Sequence, residues 1–207
     1  MLSKLFGGLI LGAGFFMWLN PAGFGANVAP SKFQDGDIIF QTSKSSQSKA
    51  VQLATHSKYS HMGLLFQDKN RWYVYEATGP VKLTPFEKWI EHGERGRYEV
   101  RRLQKSAVTA SDARDLKAVC DRYRGRPYDP YFGWGDDKIY CSELVWKAYK
   151  NALSIELAKP RTLSTFDLSS PAVRAKLKER YGMKIPLQEL AVSPADIFDS
   201  PLLKPVR

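Results

Sequence analysis

Two β-prone runs separated by a short polar stretch constrain this chain most. Residues 59–66 (Tyr-Ser-His-Met-Gly-Leu-Leu-Phe) and 72–77 (Trp-Tyr-Val-Tyr-Glu-Ala) flank the polar residues 67–71. Apolar runs around so short a turn read as an antiparallel hairpin. Side chains alternate between the faces of a sheet, so the register decides which residues meet. A turn at Asp68-Lys69 sets His61 opposite Glu76. A turn at Lys69-Asn70 sets His61 opposite Thr78 and leaves Glu76 diagonal to it on the same face. Both put an imidazole beside a carboxylate; a register of the other parity separates them.

The rest of the chain surrounds this hairpin with further strands and helices. A turn at 33–37 feeds an apolar strand at 38–40, and the Ser/Lys/Gln-rich stretch 42–49 reads as an exposed loop before a short helix at 50–55. Gly79-Pro80 ends the hairpin. Thr84-Pro85-Phe86-Glu87 reads as a capped helix start, with Thr84 as N-cap, running to about Gly93. Residues 98–103 form a strand. In a helix at 111–124, Ala113, Leu116, Cys120 and Tyr123 share one face, which places Cys120 in the core. An aromatic loop, 125–137, precedes a helix whose inward face is Leu144, Val145, Ala148, Tyr149 and Ala152. A further helix follows Pro171, and the tail is punctuated by Pro and Ser. The class is mixed α+β, and residues 27–207 are long enough for one domain with a real core.

Residues 1–26 have the form of a signal peptide. Lys4 precedes an apolar run at 5–19, followed by small residues to Ala26. Cleavage near Gly25 is the first expectation and a retained anchor the second. Either places the domain in the periplasm or otherwise outside the cytoplasm. Disulfides form there, so Cys120 and Cys141 could pair. The net charge of +10 suits either an anionic neighbourhood, such as a membrane surface, or plain solubility, and the spread of the charges favours solubility. The basic residues are dispersed, and no nucleic-acid motif accompanies them. His56, His61 and His92 offer no metal-ligand spacing, so neither metal nor other cofactor is expected.

Cys141 carries the chemistry. It sits in Ile139-Tyr140-Cys141-Ser142-Glu143-Leu144, where an apolar approach becomes a helix. The positive end of a helix favours thiolate over thiol. The bland alternative is a buried structural thiol. A nucleophile needs a base, and His61 is the histidine whose ring a strand would hold in place; Glu76 can orient that ring. The Cys141 N–H can stabilise an oxyanion, and Tyr140 is a candidate second donor. Tyr128 and Trp134, in the aromatic loop, either line a substrate pocket or pack the loop onto the core.

These residues resemble the papain-like hydrolases of the NlpC type. That family has a Gly-x-Pro-Tyr loop and an Asp-Cys-Ser-x-Leu-Val helix start, followed by Gly-Asp-Leu-Val-Phe and His-Val-Gly strands. Here the blocks are swapped: Gly36-Asp37-Ile38-Ile39-Phe40 and His61-Met62-Gly63 come first, Gly125-Arg126-Pro127-Tyr128 and Tyr140-Cys141-Ser142-Glu143-Leu144-Val145 later. The order is similar to that of the circularly permuted, YiiX-like amidases. The resemblance implies a small antiparallel, partly barrel-like sheet packed on the nucleophile helix, with Cys141 as nucleophile and His61 as base. Tyr140 stands where the unpermuted family has Asp. The expected activity is cleavage of an amide in a small peptide, cell-wall peptide or N-acyl compound. Lipid acyl transfer or hydrolysis with the same triad is the alternative, and a non-catalytic lipid- or peptide-binding module a third.

Overall fold

The computed structural model describes residues 27–105 and 108–207; the expected signal peptide lies outside them. Six strands form one antiparallel sheet: β1 (Ile38–Gln41), β2 (His61–Asp68), β3 (Arg71–Ala77), β4 (Val81–Pro85), β5 (Glu99–Leu103) and β8 (Leu203–Pro205). Their order is β4-β3-β2-β1-β5-β8, which ends on β4 and β8. Two short strands, β6 (Arg161–Thr162) and β7 (Leu190–Ala191), pair separately. The helices are α1 (Ser48–Thr55), α2 (Phe86–Glu91), α3 (Ala110–Tyr123), α4 (Cys141–Leu153), α5 (Pro171–Tyr181) and α6 (Pro194–Phe198). This is the α+β class expected from the sequence, with the Cys141 helix against an antiparallel sheet.

Strand alternation divides the core. Ile38, Phe40, Met62, Leu64 and Tyr75 pack with Leu116, Cys120, Leu144, Val145, Ala148 and Tyr149 of α3 and α4. Ile39, Leu65, Val74 and Val100 point the other way, onto Phe33, Phe86, Trp89 and Tyr98. Burying each such side chain contributes about 1.5–3 kcal/mol, so α4 is held by its whole inward face.

The hairpin register is set by its turn. Asp68 pairs with Arg71 and Leu64 with Tyr75. Lys69 and Asn70 take φ of 46° and 63°, the two left-handed residues of a tight hairpin turn. This is the second of the two registers considered, with Glu76 diagonal to His61.

Three expectations need correction. Thr84 does not cap a helix: it lies in β4, paired with Val74, and α2 begins at Phe86 with Pro85 before it. The strand was hidden because Thr-Pro-Phe-Glu fits a capping pattern equally well. The loop expected to run to residue 49 ends earlier, since α1 begins at Ser48. The Pro- and Ser-punctuated tail supplies α6, started by a Ser193–Asp196 capping box, and β8, which completes the sheet. Cys120 and Cys141 are both free thiols, so the possible disulfide is absent.

Candidate active site

Helix α4 starts at Cys141 because Tyr140 before it is extended, with φ −107° and ψ 167°. The Tyr140 N–H donates to Glu143 Oε2 at 3.3 Å, and Lys147, one turn on, lies 2.8 Å from Glu143 Oε1. Cys141 is therefore the first helical residue, where a backbone N–H has no intrahelical acceptor. Its side chain is 4% exposed.

His61 opens β2 and is 8% exposed. Its Nε2 lies 2.6 Å from Glu76 Oε2. The Cys141 side chain is close enough to the same ring to favour its protonated form. Trp89 of α2 stacks beneath the ring, with centroids 5.9 Å apart and planes 28° apart. Glu76 is 1% exposed, and its second oxygen, Oε1, accepts a hydrogen bond from Thr84 Oγ1 at 2.6 Å. Imidazole, carboxylate and hydroxyl thus form one hydrogen-bonded line from β2 through β3 to β4.

Gly63 makes the diagonal contact possible. Extending the β2–β3 register by one residue puts Gly63 directly opposite Glu76. A Cβ on Gly63 would come within 2.4 Å of Val74 Cγ1 and 2.6 Å of the Tyr75 carbonyl oxygen. With none there, the strands close up and Glu76 can lean toward His61.

The charges follow from these contacts. Burial disfavours the His61 cation, but hydrogen bonds to Cys141 and Glu76 outweigh it and hold the imidazole up at about 10. Burial likewise raises Glu76, and the bonds from His61 and Thr84 more than reverse that, leaving it below the usual carboxylate value. The arrangement therefore stores an imidazolium between two acceptors.

Two of the other sequence candidates border the thiol. The buried Tyr140 hydroxyl accepts from the Val192 N–H at 3.2 Å, which leaves its own proton for donation. The Tyr128 hydroxyl accepts from Gln47 Nε2 at 2.6 Å. Burial and the neighbouring Cys141 both raise the Tyr128 phenol, so it too keeps its proton. Trp134 is elsewhere: it packs edge-on against Trp146 at 5.0 Å, with the Lys147 ammonium 5.7 Å from its ring. His56 pairs with Asp167 at 3.1 Å, and His92 caps the C-terminus of α2. Burial raises the Cys120 thiol far above its ordinary range.

Sequence reasoning missed Thr84, Trp89 and Gln47, whereas Phe132 lies in the aromatic loop expected to line a pocket or pack on the core. Thr84 had a usable signal, since a strand-length segment after Gly79-Pro80 fits a second hairpin. The other two are brought in by long-range packing.

Two recesses border the site, one reaching Cys141 and the other reaching His61 and Glu76. The first is apolar: Val51, Leu163, Phe166, Val173, Leu177 and Phe132 line it, and Cys141 and Tyr140 are in its wall. The other is polar, bordered by Ser43, Ser45, His61, Glu76, Glu91 and His92. Gln47, Ser60 and Tyr128 border both, so the Gln47–Tyr128 hydrogen bond stands between them.

A permuted papain-like architecture with a cysteine at a helix start is the class this fold and site define. Residues 32–207 match the family model described as permuted papain-like amidase enzyme, YaeF/YiiX, C92 family, and the chain belongs to that family. It is 54% identical over 173 residues to the uncharacterized protein YiiX of Escherichia coli K12, covering 84% of this chain and 85% of that one. It is also similar to the crystal structure of the metalloprotein YiiX from Escherichia coli O157:H7, at 53% identity and a TM-score of 0.82, covering 85% of this chain and 97% of that one.

The metal description concerns the E. coli protein. Here, among the described residues, no three or more His, Cys, Asp or Glu gather so as to hold a metal ion. Both oxygens of Glu76 are already committed, Oε2 to the His61 ring and Oε1 to the Thr84 hydroxyl. The donor set does not fit a metal ion.

Proposed function

We propose that the chain is a cysteine amidase with Cys141 as nucleophile, His61 as general base and acid, and Glu76 as the group that orients His61. The observation that carries this is the His61 ring, held by Glu76 at 2.6 Å and influenced by the Cys141 side chain at the start of α4. His61 already holds the proton that Cys141 gives up, and the thiolate sulfur bonds to the amide carbonyl carbon. The carbonyl oxygen becomes an oxyanion, facing the Cys141 N–H, with the Tyr140 or Tyr128 hydroxyl as a second donor. His61 then protonates the amide nitrogen, the C–N bond breaks, and the amine leaves. Water, deprotonated by His61, attacks the thioester; the acid departs and the thiolate–imidazolium pair is restored.

The unlike recesses support an amide joining an apolar acyl group to a polar amine, such as an N-acyl compound. The apolar recess also favours the second reading, transfer or hydrolysis of a lipid acyl group through the same thioester. The form of residues 1–26 supports work outside the cytoplasmic membrane.

A thiol-reactive acyl probe followed by intact-mass measurement tests the mechanism. One acyl group on Cys141 of the native protein is expected, and none on Cys141→Ala or His61→Ala. Equal labelling of the wild type and both variants would sink the mechanism and leave a binding module. Transfer of the acyl group to an added amine or alcohol in preference to water would favour the second reading.

A further inference from the structure

The apolar recess is walled on its outer side by α5, through Val173, Leu177 and Tyr181. This helix and the segment after it have an unusual surface. Among the described residues the exposed large hydrophobic side chains are Tyr131, Met183, Leu187, Leu190 and Leu202. The first four belong to the structure that frames the recess. Met183 is 91% exposed, and Leu187 and Leu190 lie on the run from α5 into β7. Tyr131 packs against Tyr181, with ring centroids 5.6 Å apart. The same run joins the recess wall, because the Ser164 N–H donates to the Leu187 carbonyl and the Leu163 N–H to that of Glu189.

Charge identifies the occupant. Residues 171–190 contain five Lys or Arg and two Glu. Arg174, Lys178 and Lys184 are exposed on the same segment. Separate apolar tips among long cationic side chains suit a lipid interface, where tips enter the acyl boundary and ammonium groups stay with phosphates. A protein partner would be better served by a contiguous apolar centre with a polar rim.

We propose that the α5–β7 segment, with Tyr131, docks on an anionic lipid bilayer. Docking brings the outer wall of the apolar recess to the source of acyl chains. It does not depend on the chemistry of Cys141, and Cys141→Ala should dock as the wild type does, so failure of either idea leaves the other standing.

Hydrogen–deuterium exchange of the full chain tests this. Vesicles of phosphatidylcholine containing one part in three phosphatidylglycerol should slow exchange at residues 178–190 and 130–132, and vesicles of phosphatidylcholine alone should not. K178E/K184E should lose this local protection and partition about tenfold or more weakly. A charge-matched reversal at the far hairpin turn, K69E/R71E, should keep both. No local protection, or equal losses in the two variants, would overturn the proposal. So would protection of these segments on concentrating the protein without lipid, which would assign the surface to a second copy.

Discussion

Glu76 reaches His61 across a diagonal of the β2–β3 hairpin, with Oε2 2.6 Å from Nε2 and Gly63 in the position directly opposite the carboxylate. Both side chains are buried, so this is an ion pair in a poorly screened setting, held in place by Thr84 and Trp89.

Removing the carboxylate's charge should shift the pH profile. His61 is held up at about 10 partly by Glu76. In Glu76→Gln the alkaline limb of kcat/KM should move down by about one pH unit or more, and its plateau should fall roughly 100-fold. A full pH–rate profile measures both. An unmoved alkaline limb would detach Glu76 from the titration of His61.

The same pair makes stability depend on pH. The folded value of His61, about 10, lies above its ordinary 6.5, so its contribution is complete below 6.5 and lost as pH rises through 10. Glu76 is held below its ordinary 4.5, so its contribution is present above 4.5 and lost as pH falls through the folded value. Together they predict a maximum between about pH 4.5 and 6.5. Thermal melts of wild type and Glu76→Gln should differ most in that window and converge at strongly alkaline pH.

Thr84→Val keeps the shape of the side chain and removes the hydroxyl that donates to Glu76 Oε1. Leaving that buried oxygen unsatisfied should cost roughly 1–3 kcal/mol in urea unfolding. Thr84→Ser should retain most of the stability. Equal stability in Thr84→Val and wild type would mean that Glu76 gains nothing from the bond.

Gly63→Ala should be worse than its size implies. Its new methyl meets Val74 Cγ1 and the Tyr75 carbonyl, neither of which can swing away as a flexible side-chain end would. A loss of roughly 1–3 kcal/mol is expected, with His61 and Glu76 forced apart. Loss of acyl labelling at Cys141 under conditions where circular dichroism reports a folded chain would separate the local effect from unfolding.

Cys120→Ala gives the contrast to Cys141. Cys120 is fully buried in α3 among Leu116, Val119 and other core residues. The variant should lose about 1 kcal/mol of stability and keep full labelling by the acyl probe.

The parts of the fold visible in the sequence are those made by local pattern. Alternation placed His61 and Glu76 on one face, and the 3.6-residue period put Leu144, Val145, Ala148 and Tyr149 inward on the Cys141 helix. The choice between two registers was not visible. It depends on Lys69 and Asn70 both taking the left-handed conformation, which Asn favours and Lys merely tolerates. Strand β4 was masked by Thr84-Pro85, which serves a strand end as well as a helix start. Gln47 was out of reach for another reason: its partner Tyr128 is 81 residues away, and nothing local announces such a bond. Likewise the environment of Trp134 was set by Trp146 in the following helix, although its place in an aromatic loop suggested a pocket wall.

The order of the blocks along the chain has a consequence during synthesis. A ribosome releases the β2–β3 hairpin, with imidazole and carboxylate already within local reach of each other, well before it releases the thiol. The last strand to emerge, β8, is also an edge of the sheet and pairs with β5. A nascent chain can therefore bring His61 and Glu76 together early, while the Cys141 sulfur reaches them only after α4 has been made and packed. Vectorial translation thus separates the pairing of His61 with Glu76 from the arrival of Cys141.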